Sequence, residues 1–305
     1  MATAARQALP RTTGDDWAPV RRPAWYVRWR HIAAQNPIGV VALIIVVSFF
    51  VLGVIGPYIA PYPPRELDVS SQFLGPSWAH PFGTNGTGND MFSRILVGAR
   101  VSMTFGTVII VFGFIPGALL GILSGYAGRW VDYLLQRSSE AWTAFPQLIL
   151  VLTFLTAFGP GLRNVEIVIS LGALFGSSRI LRAVAIIEKQ KDYVLAAHAV
   201  GASDLRIFVR HMIPNVMPYL LVGISGTFAV AVIVEATLSY LGLGLPVGTP
   251  GWGIDLNAAI RNGSGQHHPF LVFFPGAAIS LVVLGFNLLG DTLRDILDPR
   301  LRGSQ

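Results

Sequence analysis

"AAHAVGASDLRIFVRHMIPN" occupies residues 196–215 and interrupts a chain otherwise built from apolar blocks. Tyr193 to Val200 is rich in good helix formers, so a short helix is predicted there. Gly201 suits the left-handed position just past a helix end. Ser203 is a favourable N-cap, and Asp204 follows in the first turn, where negative charge is stabilised, so a second helix begins at once. Leu205, Phe208, Val209, Met212 and Ile213 recur at helical spacing and predict one apolar stripe. Arg206 and Arg210 lie four apart on another face, and Pro214–Asn215 reads as a stop. The spacing therefore predicts helix, tight turn, helix. Two roles suit such an element: an amphipathic hairpin skimming a membrane, or a docking element for a partner protein.

The surrounding composition points into a bilayer. Of 305 residues, 52% are hydrophobic and 12% charged, whereas soluble domains carry about a quarter charged residues. The mean hydropathy of +0.58 agrees. The absence of cysteine excludes disulfides, cysteine metal sites and a cysteine nucleophile. A net charge of +6 suits nucleic acid only when clustered on one face, and here the basic residues flank apolar blocks instead. Nucleic acid is not an expected partner.

An apolar crossing needs roughly 20 residues. Segments at about 38–58, 101–124, 141–159, 165–187, 216–241 and 269–290 qualify, which predicts an all-α integral membrane protein with six transmembrane helices. The fourth is the most polar, with Glu166 at its start and Arg179 and Arg182 in its final third. Residues 1–37 read as a polar N-terminal tail that ends in an interfacial segment, "WYVRWRHIAAQ" (25–35), and residues 291–305 as a C-terminal tail. The early residues carry arginines and no short apolar core, so no secretory signal is expected. With the N-terminus inside, 17 of the 22 Lys and Arg fall on the inner side, leaving Arg65, Arg94, Arg100, Arg163 and Arg261 outside. The positive-inside rule then predicts both termini, and the 192–215 loop, in the cytoplasm.

Within the second span Gly113, Gly117, Gly121 and Gly125 recur every four residues, on one helix face that permits close approach of a neighbouring helix. Intrachain packing is the plainer role for this stripe, ahead of a subunit interface or pore lining. Glu235, about 20 residues into the fifth span, reads as a hydrated or hydrogen-bonded structural carboxylate near the outer surface. Catalytic signals are missing. No G-x-x-x-x-G-K-[ST] loop occurs, and the lysines are only Lys189 and Lys191, so the chain is no P-loop ATPase. H-E-x-x-H and G-x-S-x-G are also absent. His267–His268 and His80 sit among turn residues, and no metal site is expected.

The insert resembles the EAA loop of bacterial ABC importer permeases, with the pattern E-A-A-x-x-x-G-A and then I-x-x-x-H-x-x-P-N. Ala196, Ala197, Gly201, Ala202, Ile207, His211, Pro214 and Asn215 match it. "FGTNGTGNDMFSRILVGARVSM" (82–103) is similar to the G-T-D-x-x-G-R-D-x-x-S-R segment of the C-type permeases of the dipeptide/oligopeptide/nickel family. "EATLSYLGLGLPVGTPGWG" (235–253) and "FPGAAISLVVLGFNLLGDTLRDILDPRL" (274–301) resemble that family's C-terminal signature. The likeness covers the chain from about Ile38 to Arg302. Four positions depart from the patterns: Leu195 replaces the motif glutamate, His198 its usual arginine, and Asn85 and Asn89 an Asp and an Arg.

This resemblance implies the type I ABC importer permease fold, with Leu195 to Asn215 (including Ser203, Arg206 and Arg210) as the loop that couples to an ATPase. It also implies a second, B-type permease, two cytoplasmic ABC ATPases that bind ATP and Mg, and an extracytoplasmic binding protein. The chain itself is then neither an enzyme nor a holder of cofactors. Location in the bacterial plasma membrane and a peptide substrate follow, with nickel chelates or haem as alternatives. A stand-alone secondary transporter is the rival class, but it would call for mid-membrane coupling carboxylates and inverted repeats, and neither is evident.

Overall fold

The computed structural model describes residues 36–65, 67–246 and 248–297. The N-terminal tail with its interfacial segment, and the end of the C-terminal tail from 298, lie outside the described residues. Among the described residues every regular element is helical, apart from one isolated bridge between Thr84 and Asp90. Besides one 3-10 turn (Val69–Ser71), these are in chain order α1 (Pro37–Ile59), α2 (Met91–Ala127), α3 (Arg129–Thr143), α4 (Gln147–Phe158) and α5 (Leu162–Lys189). Then follow α6 (Asp192–Ala199), α7 (Asp204–Tyr240), α8 (Trp252–Arg261), α9 (Ser264–His267) and α10 (Phe270–Leu297).

Five of these helices (α1, α2, α5, α7 and α10) are long and apolar enough to cross a membrane, and a sixth crossing arises only if α3 and α4 act together. That pair departs from the straight third span expected at 141–159. The two axes differ by 82°. Pro146 lies at the break with an extended backbone (φ −57°, ψ 129°), and the residue before a proline is pushed away from the helical region. Alone, the 12 residues of α4 reach only about 18 Å, short of the roughly 30 Å hydrocarbon layer.

The second and fifth spans also exceed the expected 101–124 and 216–241. Helix α2 starts at Met91 because the Asp90 carboxylate caps it, accepting from the Ser93 backbone N–H at 2.7 Å. Helix α7 starts at Asp204 and runs straight through Pro214–Asn215, the pair that reads as a stop in the sequence. Both long helices solve the same problem. A proline inside a helix lacks an N–H, and its ring presses on the carbonyl four residues back. A widened π turn precedes each one: Ile109–Phe114 before Pro116 and Phe208–Met212 before Pro214. Ile115 and Ile213 donate five residues back, to Ile110 and Phe208, and the helix continues past the proline.

The glycine stripe of α2 lies along α5. A Cβ at Gly113 or Gly125 would come within 2.6 Å of the Ser170 carbonyl or 2.7 Å of the Arg182 carbonyl. Gly117 and Gly121 meet Leu174 and Ser178 in the same way. Rows spaced by four on both helices thus bring backbone against backbone. Aromatic rings join three other helices: Phe228 of α7 stacks on Phe286 of α10 at 4.0 Å, and Phe50 of α1 packs against both rings. Glu235 is buried rather than hydrated. It accepts from Ser102 at 2.7 Å and from Ser239 at 2.9 Å, which joins α7 to α2.

Candidate functional site

The 192–215 insert forms helix α6, a tight turn and the first residues of α7. Its turn follows from Gly201, whose φ of +81° places it in the left-handed region. Gly201 N–H donates to the His198 carbonyl at 2.9 Å, and Ala202 N–H to the Ala197 carbonyl at 3.0 Å. These two bonds are those of a Schellman motif, and they satisfy carbonyls that the end of α6 would otherwise leave open. Ser203 has the extended backbone of an N-cap but makes no side-chain capping bond. The Asp204 carboxylate faces Tyr126.

Helix α6 has two unlike faces. Val194 and Ala197 are buried and join the main core beside Tyr126, Leu181 and Ala185. Leu195 and Val200 stand 57% and 85% exposed, with Ala196 also uncovered. The expected stripe on the second helix requires a correction. Ile207 and Met212 are the buried residues there, while Leu205 and Val209 are exposed. The π turn is the reason, because five residues in a widened turn bring Ile207 and Met212 onto one side. Phe208 is half-buried and packs against the core, as Ala202 does. Arg206 and Arg210 are exposed and form no ion pair among the described residues. His211 is half-buried, with its ring 6.3 Å from Tyr193. Pro214 and Asn215 are exposed, and Asn215 Nδ2 donates to the His211 carbonyl at 2.7 Å.

Polar contacts absent from the motif fasten this loop to the bundle. The Tyr126 hydroxyl at the end of α2 donates to Asp204 Oδ1 at 2.8 Å. Lys189 Nζ donates to the Tyr126 carbonyl and sits 5.1 Å from the centre of its ring. The Tyr193 hydroxyl donates to Glu188 Oε1 at 2.8 Å, and Lys191 pairs with Glu188 Oε2 at 2.7 Å. Burial, then the Glu188 bond, pushes the Tyr193 phenol above its usual range. The Glu188–Lys191 spacing of three was legible in the sequence. Tyr126–Asp204, 78 residues apart, left no local signal.

At the far end of the bundle Arg94 ties three segments together. Its Nε and Nη2 both reach Asp255 Oδ1 at 2.7 Å, and Nη1 donates to the Pro64 carbonyl at 2.8 Å. The Trp252 indole, fully buried, donates to the Ile95 carbonyl at 3.1 Å. Asn85 performs an acceptor's task in the adjoining turn: its Oδ1 receives Thr87 N–H, Thr87 Oγ1 and Asn89 N–H at 3.0, 2.7 and 2.9 Å. An amide oxygen thus closes a turn for which no carboxylate charge is needed. His80 Nδ1 lies 3.0 Å from Asp90 Oδ1, and His268 stacks on Phe73 at 4.8 Å. No cluster of three metal-ligating side chains occurs among the described residues.

The fold and this loop define a class: a helical membrane protein whose bundle carries a short anchored helix with an exposed apolar face. Comparison with known proteins narrows the class. Residues 117–303 match the binding-protein-dependent transport system inner membrane component family, and residues 25–76 match the N-terminal transmembrane domain of oligopeptide transport permease C. The chain is similar to the dipeptide transport system permease protein DppC of Alkalihalophilus pseudofirmus, at 36% identity over 90% of each chain. It is also 41% identical to a putative peptide transport system permease protein of Brucella suis, over 87% of this chain and 88% of the other. The glutathione transport system permease protein GsiD of Escherichia coli is 36% identical, over 98% and 97%. The chain belongs to the inner membrane components of binding-protein-dependent transport systems, the multi-pass permease subunits of ABC importers, and has their type I fold.

Proposed function

We propose that this chain forms half of a translocation pathway for peptides, beside a second, B-type permease. Two cytoplasmic ABC ATPases that bind ATP and Mg drive it, and an extracytoplasmic binding protein delivers the substrate. The two-faced helix α6 carries this reading: Val194 and Ala197 are sunk in the bundle, while Leu195, Ala196 and Val200 form an exposed apolar surface. Exposed apolar surface beside arginines is what a protein partner covers. Leu195 provides an apolar contact where related permeases carry a glutamate. The relatives' names, which refer to dipeptide, peptide and glutathione, support a peptide-sized substrate over nickel chelates or haem.

The basic-residue asymmetry supports cytoplasmic termini, with the loops at 80–90 and 246–257 turned outward toward the binding protein. The test is reconstitution of this chain with its partner permease, ATPases and binding protein in proteoliposomes. ATP-dependent peptide uptake is expected, together with no ATP hydrolysis by the purified chain alone. Robust hydrolysis by the single subunit, or uptake without the ATPases, would overturn the reading. Cysteine introduced at Ser203 should be shielded from an external impermeant reagent, and at Ser264 should react with it.

A further inference from the structure

Helix α3 and the middle of α5 enclose a cleft of about 630 Å³ lined by four arginines: Arg129, Arg137, Arg179 and Arg182. Two of them are already engaged. Arg182 pairs with Asp132, its Nη2 donating to Oδ2 at 2.6 Å, and Arg137 pairs with Glu140 at 2.8 Å. Arg129 and Arg179 have no ion-pair partner among the described residues. On the same cleft the Gln136 side-chain nitrogen is buried with no hydrogen-bond acceptor. The unmatched groups are therefore all donors, two of them cationic. Such a set fits an anion, and guanidinium forks fit the oxygens of a phosphate best.

The backbone goes out of its way to bring Arg129 here. Arg129 has φ +52°, directly after Gly128 at +63°, a conformation that a residue with a side chain rarely adopts. The chain reverses at this point so that α3 packs against α5. Beside the arginines α3 displays Trp130 and Leu134, 81% and 68% exposed, four residues apart on one face. Indole, leucine and arginine on one short helix set at 82° to the next suit the headgroup layer of a membrane. A soluble anion would need no apolar collar. Arg179 lies ten residues before the end of α5, about 15 Å along its axis, within reach of the interface for a snorkelling arginine.

We propose that Arg129, Arg179 and Gln136 bind the phosphate of an anionic phospholipid, with Trp130 and Leu134 against its acyl chains. The proposed orientation of the chain assigns this lipid to the cytoplasmic leaflet; binding measured in mixed micelles does not depend on that orientation. The experiment uses the full chain in neutral detergent, titrated with brominated phosphatidylglycerol or brominated phosphatidylcholine. Tryptophan quenching is the readout, and Trp130→Phe identifies the signal that belongs to this site. Phosphatidylglycerol should half-saturate the Trp130 signal at about thirtyfold lower mole fraction than phosphatidylcholine, as two surface arginines imply. The Arg129→Ala/Arg179→Ala double variant should lose that preference, and the corresponding double lysine variant should keep part of it. If the alanine pair folds poorly, Arg179→Gln alone should reduce the preference. Equal quenching by the two lipids, or a preference that survives loss of both arginines, would overturn the proposal. Full displacement of the lipid by millimolar inorganic phosphate would also overturn it, in favour of a soluble anion.

Discussion

The Tyr126 hydroxyl donates to the Asp204 carboxylate across 2.8 Å, and this bond ties the last turn of α2 to the first residue of α7. The bond thereby connects the 192–203 loop to the glycine-packed pair of α2 and α5. A hydrogen bond to a charged group contributes about 1.5–3 kcal/mol. Tyr126→Phe should therefore lower peptide uptake per ATP hydrolysed in proteoliposomes while leaving ATPase co-purification intact. Asp204→Asn keeps an acceptor and should be milder. Wild-type coupling in both variants would make the bond incidental.

Close packing of α2 on α5 leaves no room for a side chain along the stripe. Gly117→Leu and Gly121→Leu should each reduce the yield of assembled complex severalfold, because the added atoms meet the backbone at Leu174 and Ser178 and not a movable side-chain tip. Gly176→Ala, where a Cβ meets nothing within 4 Å, is the matched control and should be tolerated. Size-exclusion profiles of the purified complex report both.

At Gly201 space is open and only the backbone angle matters: a Cβ at this position would have no atom within 4 Å, and φ is +81°. Gly201→Val forces a β-branched residue into the left-handed region, at a cost of about 1–3 kcal/mol. Uptake and ATPase co-purification should both collapse. Gly201→Asn, which tolerates that region, should retain much of each. Arg206→Ala should be milder than Gly201→Val, since an exposed ion pair to a partner is usually worth under about 1 kcal/mol.

Asp255→Asn leaves the Arg94 guanidinium buried without its countercharge, and each of these side chains is only 3% exposed. Removing one partner of a buried pair costs about 3–5 kcal/mol. The apparent melting temperature of the detergent-solubilised chain should fall by several degrees. Arg94→Met with Asp255→Leu, which removes both charges together, should recover much of the loss. A double variant no more stable than Asp255→Asn would argue that the bonds from Arg94 to the Pro64 and Thr249 carbonyls carry the effect.

Local chemistry was enough for much of this molecule. Hydrophobic runs marked helices that cross a membrane, because each such helix satisfies its own backbone and leaves only apolar side chains outside. Gly201 revealed its turn, because a left-handed cap is a property of one residue and its immediate neighbours. The spacing of Gly113 to Gly125 revealed a close-packing face, but not that Ser170, Leu174, Ser178 and Arg182 of α5 would fill it.

Where long-range partners compete, the sequence alone misled. Pro214 reads as a helix stop, yet a π turn accommodates it within a 37-residue helix, since packing on α10 rewards continuity. That same turn brings Ile207 inward beside the expected Met212 and leaves Leu205 and Val209 outward, against a simple helical wheel. The apolar run at 141–159 bends sharply at Pro146, leaving α3 free to cross α5. Tyr126–Asp204 and Arg94–Asp255 join residues 78 and 161 positions apart, and no spacing rule reaches that far. Local rules identify the elements and their caps; which donor meets which acceptor depends on where the folded chain brings them, because buried polar groups must find partners wherever packing puts them.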